Sequence, residues 1–222
     1  MELGWRTHLL TPHISFSEKT DVYEFGVFTG KSMCEIANIF TNKRVPIRTF
    51  FGLDSFEGLP QETVEPMWQE CWDKGDFNSQ EYFGEDTAEM CINHIQASLR
   101  QAENNIVLKG TLNCYVKGFY EDTLNDNTVE MYGMKPASYI DIDVDIYSST
   151  VTVLDFVFQK GIAVPGTLIG YDDWGGTPGW ENYENGESRA HKEAEEKYGI
   201  DFELLGQFGN TFPHIARLYK VK

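Results

Sequence analysis

Basic residues are scarce in this chain and long apolar runs are missing, and each shortage narrows what the protein can do. Lys and Arg number 18 against 35 Asp and Glu, a formal net charge of -17. A field of that sign repels phosphodiester backbones and anionic lipid, so neither nucleic acid nor a membrane surface is an expected partner. An acid-rich solvated surface accounts for the imbalance without a cationic partner. No apolar stretch approaches the roughly 18 residues of a membrane span, and the opening MELGWRTHLLTPHISF lacks the basic and apolar regions of a signal peptide. Cysteine is sparse too: Cys34, Cys71, Cys91 and Cys114 stand apart with no C-x-x-C, signalling neither a zinc site nor a redox pair. Reduced thiols and a cytoplasmic location are the expectation. His8, His13, His94, His191 and His214 show no ligand spacing, and G-x-G-x-x-G is absent.

What is present reads as one α/β domain over the 222 residues. Short β-type runs alternate with helical periodicity, the pattern of a parallel sheet covered on both faces. Strands are expected at 22–28, 47–53, 106–109, 137–143 and 166–171. Ser32 and Glu35 read as a capping box opening a helix whose stripe is Met33, Ile36 or Ala37, and Phe40. Cys91, Ile95, Leu99 and Ala102 mark a second helix, and 150–158 and 188–198 two more. Residues 60–86 form the longest irregular stretch and are expected to act as a lid. Residues 202–205 and 214–219 read as an antiparallel pair closing the sheet. Residues 1–20 are a lead-in.

The chemistry gathers at strand ends. Gly26 and Gly30 in EFGVFTG permit a tight turn and close backbone approach to a ligand, and the helix start that follows offers free N–H groups to an anion. Such a turn also serves strand-to-helix packing alone. Asp54 ends the second strand 24 residues past Gly30, near where nucleotide-binding α/β folds place the acid that accepts from ribose hydroxyls. A turn cap is the plainer reading of the same residue. Asp143 with Asp145, and the adjacent pair Asp172 and Asp173, end two further strands. Crowded carboxylates repel unless a cation compensates, and hard oxygen ligands suit Mg²⁺ or Ca²⁺; loop capping is the alternative. Trp68, Trp72, Trp174 and Trp180 flank the cleft in sequence, as acceptor-pocket walls or as core.

Five blocks, EFGVFTGKS (24–32), FGLDSFEGLP (51–60), KGFYEDTL (117–124), DVDIYSST (143–150) and YDDW (171–174), occur in an order that resembles the class I S-adenosylmethionine-dependent methyltransferases of the macrocin and mycinamicin sugar O-methyltransferase type. The resemblance implies that Glu24, Gly26, Thr29, Gly30 and Ser32 surround the methionine part of the cofactor. It also implies that Asp54 and Ser55 meet the ribose side, and that Phe56, Phe119 and Tyr120 lie around the adenine. Asp143, Asp172 and Asp173 would bind Mg²⁺, with Asp143 or Asp145 as base. Val144 stands where the family usually has glycine, and Asp141 stands near the place of a common arginine.

The resulting expectation is a Rossmann-like domain with a seven-stranded, mostly parallel sheet and a C-terminal antiparallel hairpin. Its activity would be Mg²⁺-dependent methyl transfer from S-adenosylmethionine to a hydroxyl of a small acceptor, a sugar or glycosylated metabolite. Assembly into a homo-oligomer is left open. A nicotinamide-dependent oxidoreductase and a non-catalytic nucleoside-binding module are the alternatives; against the first, hydride transfer has no need of extra carboxylates.

Overall fold

In the computed structural model, residues 4–64, 72–103, 111–174, 185–210 and 215–222 are described here, without the side chains of 101–103. The strands are β1 (Thr20–Phe25), β2 (Ile47–Asp54), β3 (Leu112–Lys117), β4 (Ala137–Ile142), β5 (Leu168–Tyr171), β6 (Phe202–Phe208) and β7 (Ala216–Val221). The helices are α1 (Trp5–Leu10), α2 (Lys31–Lys43), α3 (Ser79–Phe83), α4 (Ala88–Glu103), α5 (Tyr120–Thr123), α6 (Asp126–Tyr132), α7 (Tyr147–Gln159) and α8 (Gly186–Tyr198). The seven strands form one sheet in the order β3-β2-β1-β4-β5-β7-β6. All pairings are parallel except those of β7, which runs against both β5 and β6.

Period-two alternation decides which layer each side chain enters. Val22, Phe50, Tyr139, Leu168 and Leu218 point to one face, where α1, α2 and α4 contribute Leu10, Met33, Ile36, Phe40, Cys91, Ile95 and Leu99. Their chain neighbours Tyr23, Phe51, Ile140, Ile169 and Tyr219 point to the other, packing with Val153, Leu154 and Val157 of α7 and Ala190 and Ala194 of α8. Central strands buried on both faces read as near-continuous apolar runs. Every residue of β4 is buried accordingly.

β1 pairs with β2 on one side and β4 on the other, so the chain reverses its winding direction at β1. The crevice beyond the carboxyl ends of β1 and β4 is therefore where such sheets take ligands. Asp143 N donates to Phe25 O at 3.0 Å and Gly26 N to Leu53 O at 3.0 Å, which ties the three strand ends together.

Several local expectations need correction. Ser32 and Glu35 do not form a capping box: the N-cap residue of α2 is Gly30, in the left-handed region at φ 73°, with no side-chain cap. The hydroxyl of Ser32 instead donates to Glu24, and Glu35 accepts from Thr7 N and Thr7 Oγ1 of α1 at 2.8 and 2.6 Å. Tertiary partners have taken both side chains away from the local pattern. The first strand stops at Phe25, because 26–28 turn toward α2. The strand expected at 106–109 lies outside the described residues, and the sheet strand in this part of the chain is β3. Within 60–86, α3 interrupts the irregular stretch, with Asn78 accepting from Glu81 N as its cap. Helix α8 starts at Gly186 rather than Ser188, since Ser188 serves as the cap's partner and accepts from Asn185 N at 3.2 Å. No helix among the described residues is long and apolar enough to cross a membrane.

Candidate active site

At the carboxyl edge of the sheet lies a cavity of about 1610 Å³ that runs from the Gly26–Gly30 turn past Asp54, Phe119 and Tyr120 to Asp143, Asp145, Asp172 and Asp173. Its floor is the turn after β1. Gly26 has φ 86°, and a Cβ there would sit 1.7 Å from the carbonyl oxygen of Asp143, so the backbone just past β4 demands glycine. Gly30 at φ 73° faces Ile95, whose side chain a Cβ would meet at 2.4 Å. Between them Phe28 adopts φ 47°, a region disfavoured for a bulky residue. Its ring is held edge-on by Phe77 and Tyr82, at 5.6 and 5.2 Å between centroids. Because no side chain caps α2, the first amides of that helix are left to whatever occupies the cavity.

Asp54 ends β2 and is turned inward. Its Oδ2 accepts from Val27 N at 2.6 Å and Phe28 N at 2.9 Å, and its Oδ1 accepts from Phe56 N at 2.6 Å. Burial pushes its carboxyl upward against the pull of those amides. The turn-cap reading thus describes its observed contacts, while the residue still lines the cavity. Ser55 lines it too, donating to Gly58 O at 3.0 Å. Phe56 is fully buried in the core at φ 60° and forms no part of the wall. Thr29, Ser32, Phe119 and Tyr120 do line the cavity, and Tyr120 Oη is anchored to Leu53 O at 3.1 Å. Glu24 sits beneath, fully buried, with Oε2 lacking a partner among the described residues. Burial, then Asp141, drives its carboxyl well above the ordinary range.

The acidic rim does converge, in a different grouping from the expected one. Asp143, Asp145 and Asp173 each offer an oxygen, all within 4.8 Å of one another. Asp145 adopts φ 61°, strained for a non-glycine residue and of the kind found at functional sites. That conformation is what turns it inward beside Asp143. Burial, then Asp143, pushes its carboxyl up to about 8. A crowd of hard oxygens whose mutual repulsion a cation would relieve is a donor set that suits Mg²⁺. Asp172 lines the same cavity, its Oδ1 lying 3.8 Å from Nη1 of Arg6.

Three residues at this rim carried no signal in the sequence. Arg6 of α1, only 6% exposed, grips Asp141 through Nε and Nη2 at 2.7–3.1 Å and reaches Asp143 Oδ2 at 2.8 Å. Glu187 of α8, fully buried, accepts from Asp173 N at 3.1 Å, and burial raises its carboxyl well above normal. Glu62 accepts from Ser148 N at 2.9 Å and so caps α7, whose own N-cap residue Ile146 offers no side-chain bond. Among the tryptophans, Trp72 lines the cavity, and Trp174 packs with Tyr171, His191 and Tyr219. Trp68 and Trp180 lie outside the described residues, as do Cys71 and His214.

Residues 17–201 match the profile of the family described as macrocin-O-methyltransferase (TylF). No curated protein sequence matches the chain significantly. Among solved structures, the calicheamicin methyltransferase CalS11 superposes with a TM-score of 0.62 at 16% identity, covering 90% of this chain and 72% of that one. The O-methyltransferase NovP superposes at 0.59 with 20% identity, covering 90% and 71%. Likenesses at such identities show a shared fold, and the family match adds the chemistry. With its turn, inward acids and seven-stranded sheet in place, the chain belongs to the macrocin O-methyltransferase family, enzymes that move a methyl group from S-adenosylmethionine to a hydroxyl oxygen.

Proposed function

We propose that the protein is a Mg²⁺-dependent O-methyltransferase acting on a small hydroxylated acceptor, a sugar or glycosylated metabolite. The observation that carries this reading is the meeting of Asp143, Asp145 and Asp173 at the edge of the same cavity as the Gly26–Gly30 turn. The sugar class rests on the family match and on neighbours such as CalS11, described as a TDP-rhamnose 3'-O-methyltransferase, with a TM-score of 0.55 at 16% identity.

When bound, S-adenosylmethionine supplies an electrophilic methyl group, and Mg²⁺ supplies the Lewis acidity that eases deprotonation of a hydroxyl. The chain's own residues do the rest. Gly26, Thr29 and Gly30 would line the methionine part, whose carboxylate the uncapped start of α2 would receive, with Ser32 and Glu24 behind them. Asp54 keeps the turn in shape through Val27 N and Phe28 N and offers its remaining lone pairs to the ribose side beside Ser55. Phe119 and Tyr120 wall the adenine side, with Phe56 supporting from the core. Asp143 and Asp173 would hold the cation, with Asp172 beside Arg6 at the same rim, and Asp145 would take the acceptor's proton. Fixing acceptor oxygen and methyl in line supplies much of the acceleration.

Methyl transfer from labelled S-adenosylmethionine to a panel of sugars, nucleotide sugars and glycosides, with Mg²⁺ or EDTA, tests this directly. Transfer to at least one acceptor that EDTA abolishes and Mg²⁺ restores is the expected result. For Asp143→Asn, turnover should vanish while calorimetry shows affinity for S-adenosylhomocysteine changed by no more than about threefold. Full turnover in EDTA would remove the metal from the mechanism.

A further inference from the structure

We propose that Arg6 is a positioning residue for the cation site: its guanidinium aims the Asp143 carboxylate at the acids that meet it across the rim. The proposal rests on the reading that this rim binds a divalent cation. Arg6 lies on α1, ahead of the span 17–201 that the family profile covers, so nothing in the family match assigns it a role.

The geometry is that of a clamp. A buried guanidinium is tolerated only when its charge and donors are matched. Here Asp141, fully buried in β4, takes Nε and Nη2 together, which fixes the plane of the fork. The same Nη2 then reaches Asp143 Oδ2 at 2.8 Å, and Nη1 faces Asp172 Oδ1 at 3.8 Å. Asp143 Oδ1 takes no hydrogen bond among the described residues, so one oxygen is tethered and the other is left for a cation. The arm itself cannot drift. Glu35 holds Thr7, Leu9 and Leu10 enter the core, and the Trp5 ring lies 4.6 Å from the guanidinium carbon.

A second role would be mere neutralisation of Asp141, and the two roles differ in what they predict. The double variant Arg6→Gln/Asp141→Asn removes one positive and one negative charge together, leaving the net charge of the rim unchanged. The amide that replaces the Asp141 carboxylate can still accept from the Tyr139 hydroxyl. If Arg6 only balanced Asp141, cation affinity would stay the same. A positioning role lowers it, on the scale of about tenfold seen when groups orienting metal ligands are removed.

Mn²⁺ binding followed by electron paramagnetic resonance, on protein free of cofactor, gives the reading without any turnover. The expected outcome is a Mn²⁺ Kd raised about tenfold in the double variant, with affinity for S-adenosylhomocysteine within about twofold of wild type. Arg6→Lys keeps the buried charge and so preserves folding if the double variant is unstable. Its ammonium lacks the planar fork, and a loss of about threefold is expected. Mn²⁺ affinity equal to wild type in a folded variant overturns the assignment. Failure of the wild type itself to bind Mn²⁺ while binding S-adenosylhomocysteine removes the cation reading, and this proposal with it.

Discussion

Gly26 shows how much one position can demand. Its φ of 86° costs an L-residue about 1–2 kcal/mol, and its missing side chain is where the Asp143 carbonyl passes. Gly26→Ala should therefore lose more than about 4 kcal/mol in urea unfolding or fail to fold, because strain and a backbone clash combine. Gly199, at φ 62° with open space around it, makes the control: Gly199→Ala should cost only about 1 kcal/mol. A second residue-level prediction concerns His191, 4% exposed, whose imidazole is held down to about 3 by burial and then by Arg217. Between about pH 6.5 and 3 the unfolded chain protonates this histidine and the folded chain does not, so its contribution falls as pH falls, by up to about 1.4 kcal/mol per unit. The raised carboxyls of Glu24 and Glu187 act in the opposite direction over acidic pH, since the folded state binds their protons more tightly. The difference between wild type and His191→Gln isolates the histidine. Urea midpoints at pH 7 and pH 4.5 should show the variant losing less stability on acidification; equal losses would contradict the assignment.

Among elements, α7 and the loop before α3 depend on each other through Glu62. It accepts from Thr63 N and Val64 N with one oxygen and from Ser148 N with the other, so one carboxylate shapes the loop and caps the helix. Glu62→Ala should cost about 1 kcal/mol, read as a thermal midpoint about 2–4 °C lower, with faster proteolysis of the loop. The elements themselves were largely legible from sequence. Period-two and helical apolar patterns are local, and they placed β1, β2, β4, β5, α2, α4, α7 and α8 close to where they lie. Asp143 and Asp173 were legible at the rim because strand-end acids in an α/β sheet must meet at one edge. What stayed hidden depends on distant partners. Arg6 lies 135 positions from Asp141, and a lone arginine in a short amphipathic segment carries no mark of its burial. Asp145 converges with Asp143 and Asp173 through a left-handed φ, a conformation no composition rule assigns to aspartate after valine. The capping pattern at Ser32 misled because Glu24 and Thr7, both outside the helix, compete for the same groups.

For the whole molecule, the proposed cation site carries a thermodynamic prediction, because a cation held among mutually repelling carboxyls would favour the folded state. Binding only the native state at 100 times the dissociation constant adds about 2.7 kcal/mol. Mg²⁺ should therefore raise the thermal midpoint by about 5–11 °C, while K⁺ at equal ionic strength should do far less. Calorimetric scans with each salt check this, and equal shifts would assign the effect to screening of the -17 net charge. A further consequence comes from the placement of β7 between β5 and β6. Because β7 is made after both, β6 has no seat in the sheet until residues 216–221 have left the ribosome, and Tyr219 reaches the His191 layer only then. A nascent chain tethered just short of residue 216 should be cleaved readily by protease, and one extended past residue 222 should resist.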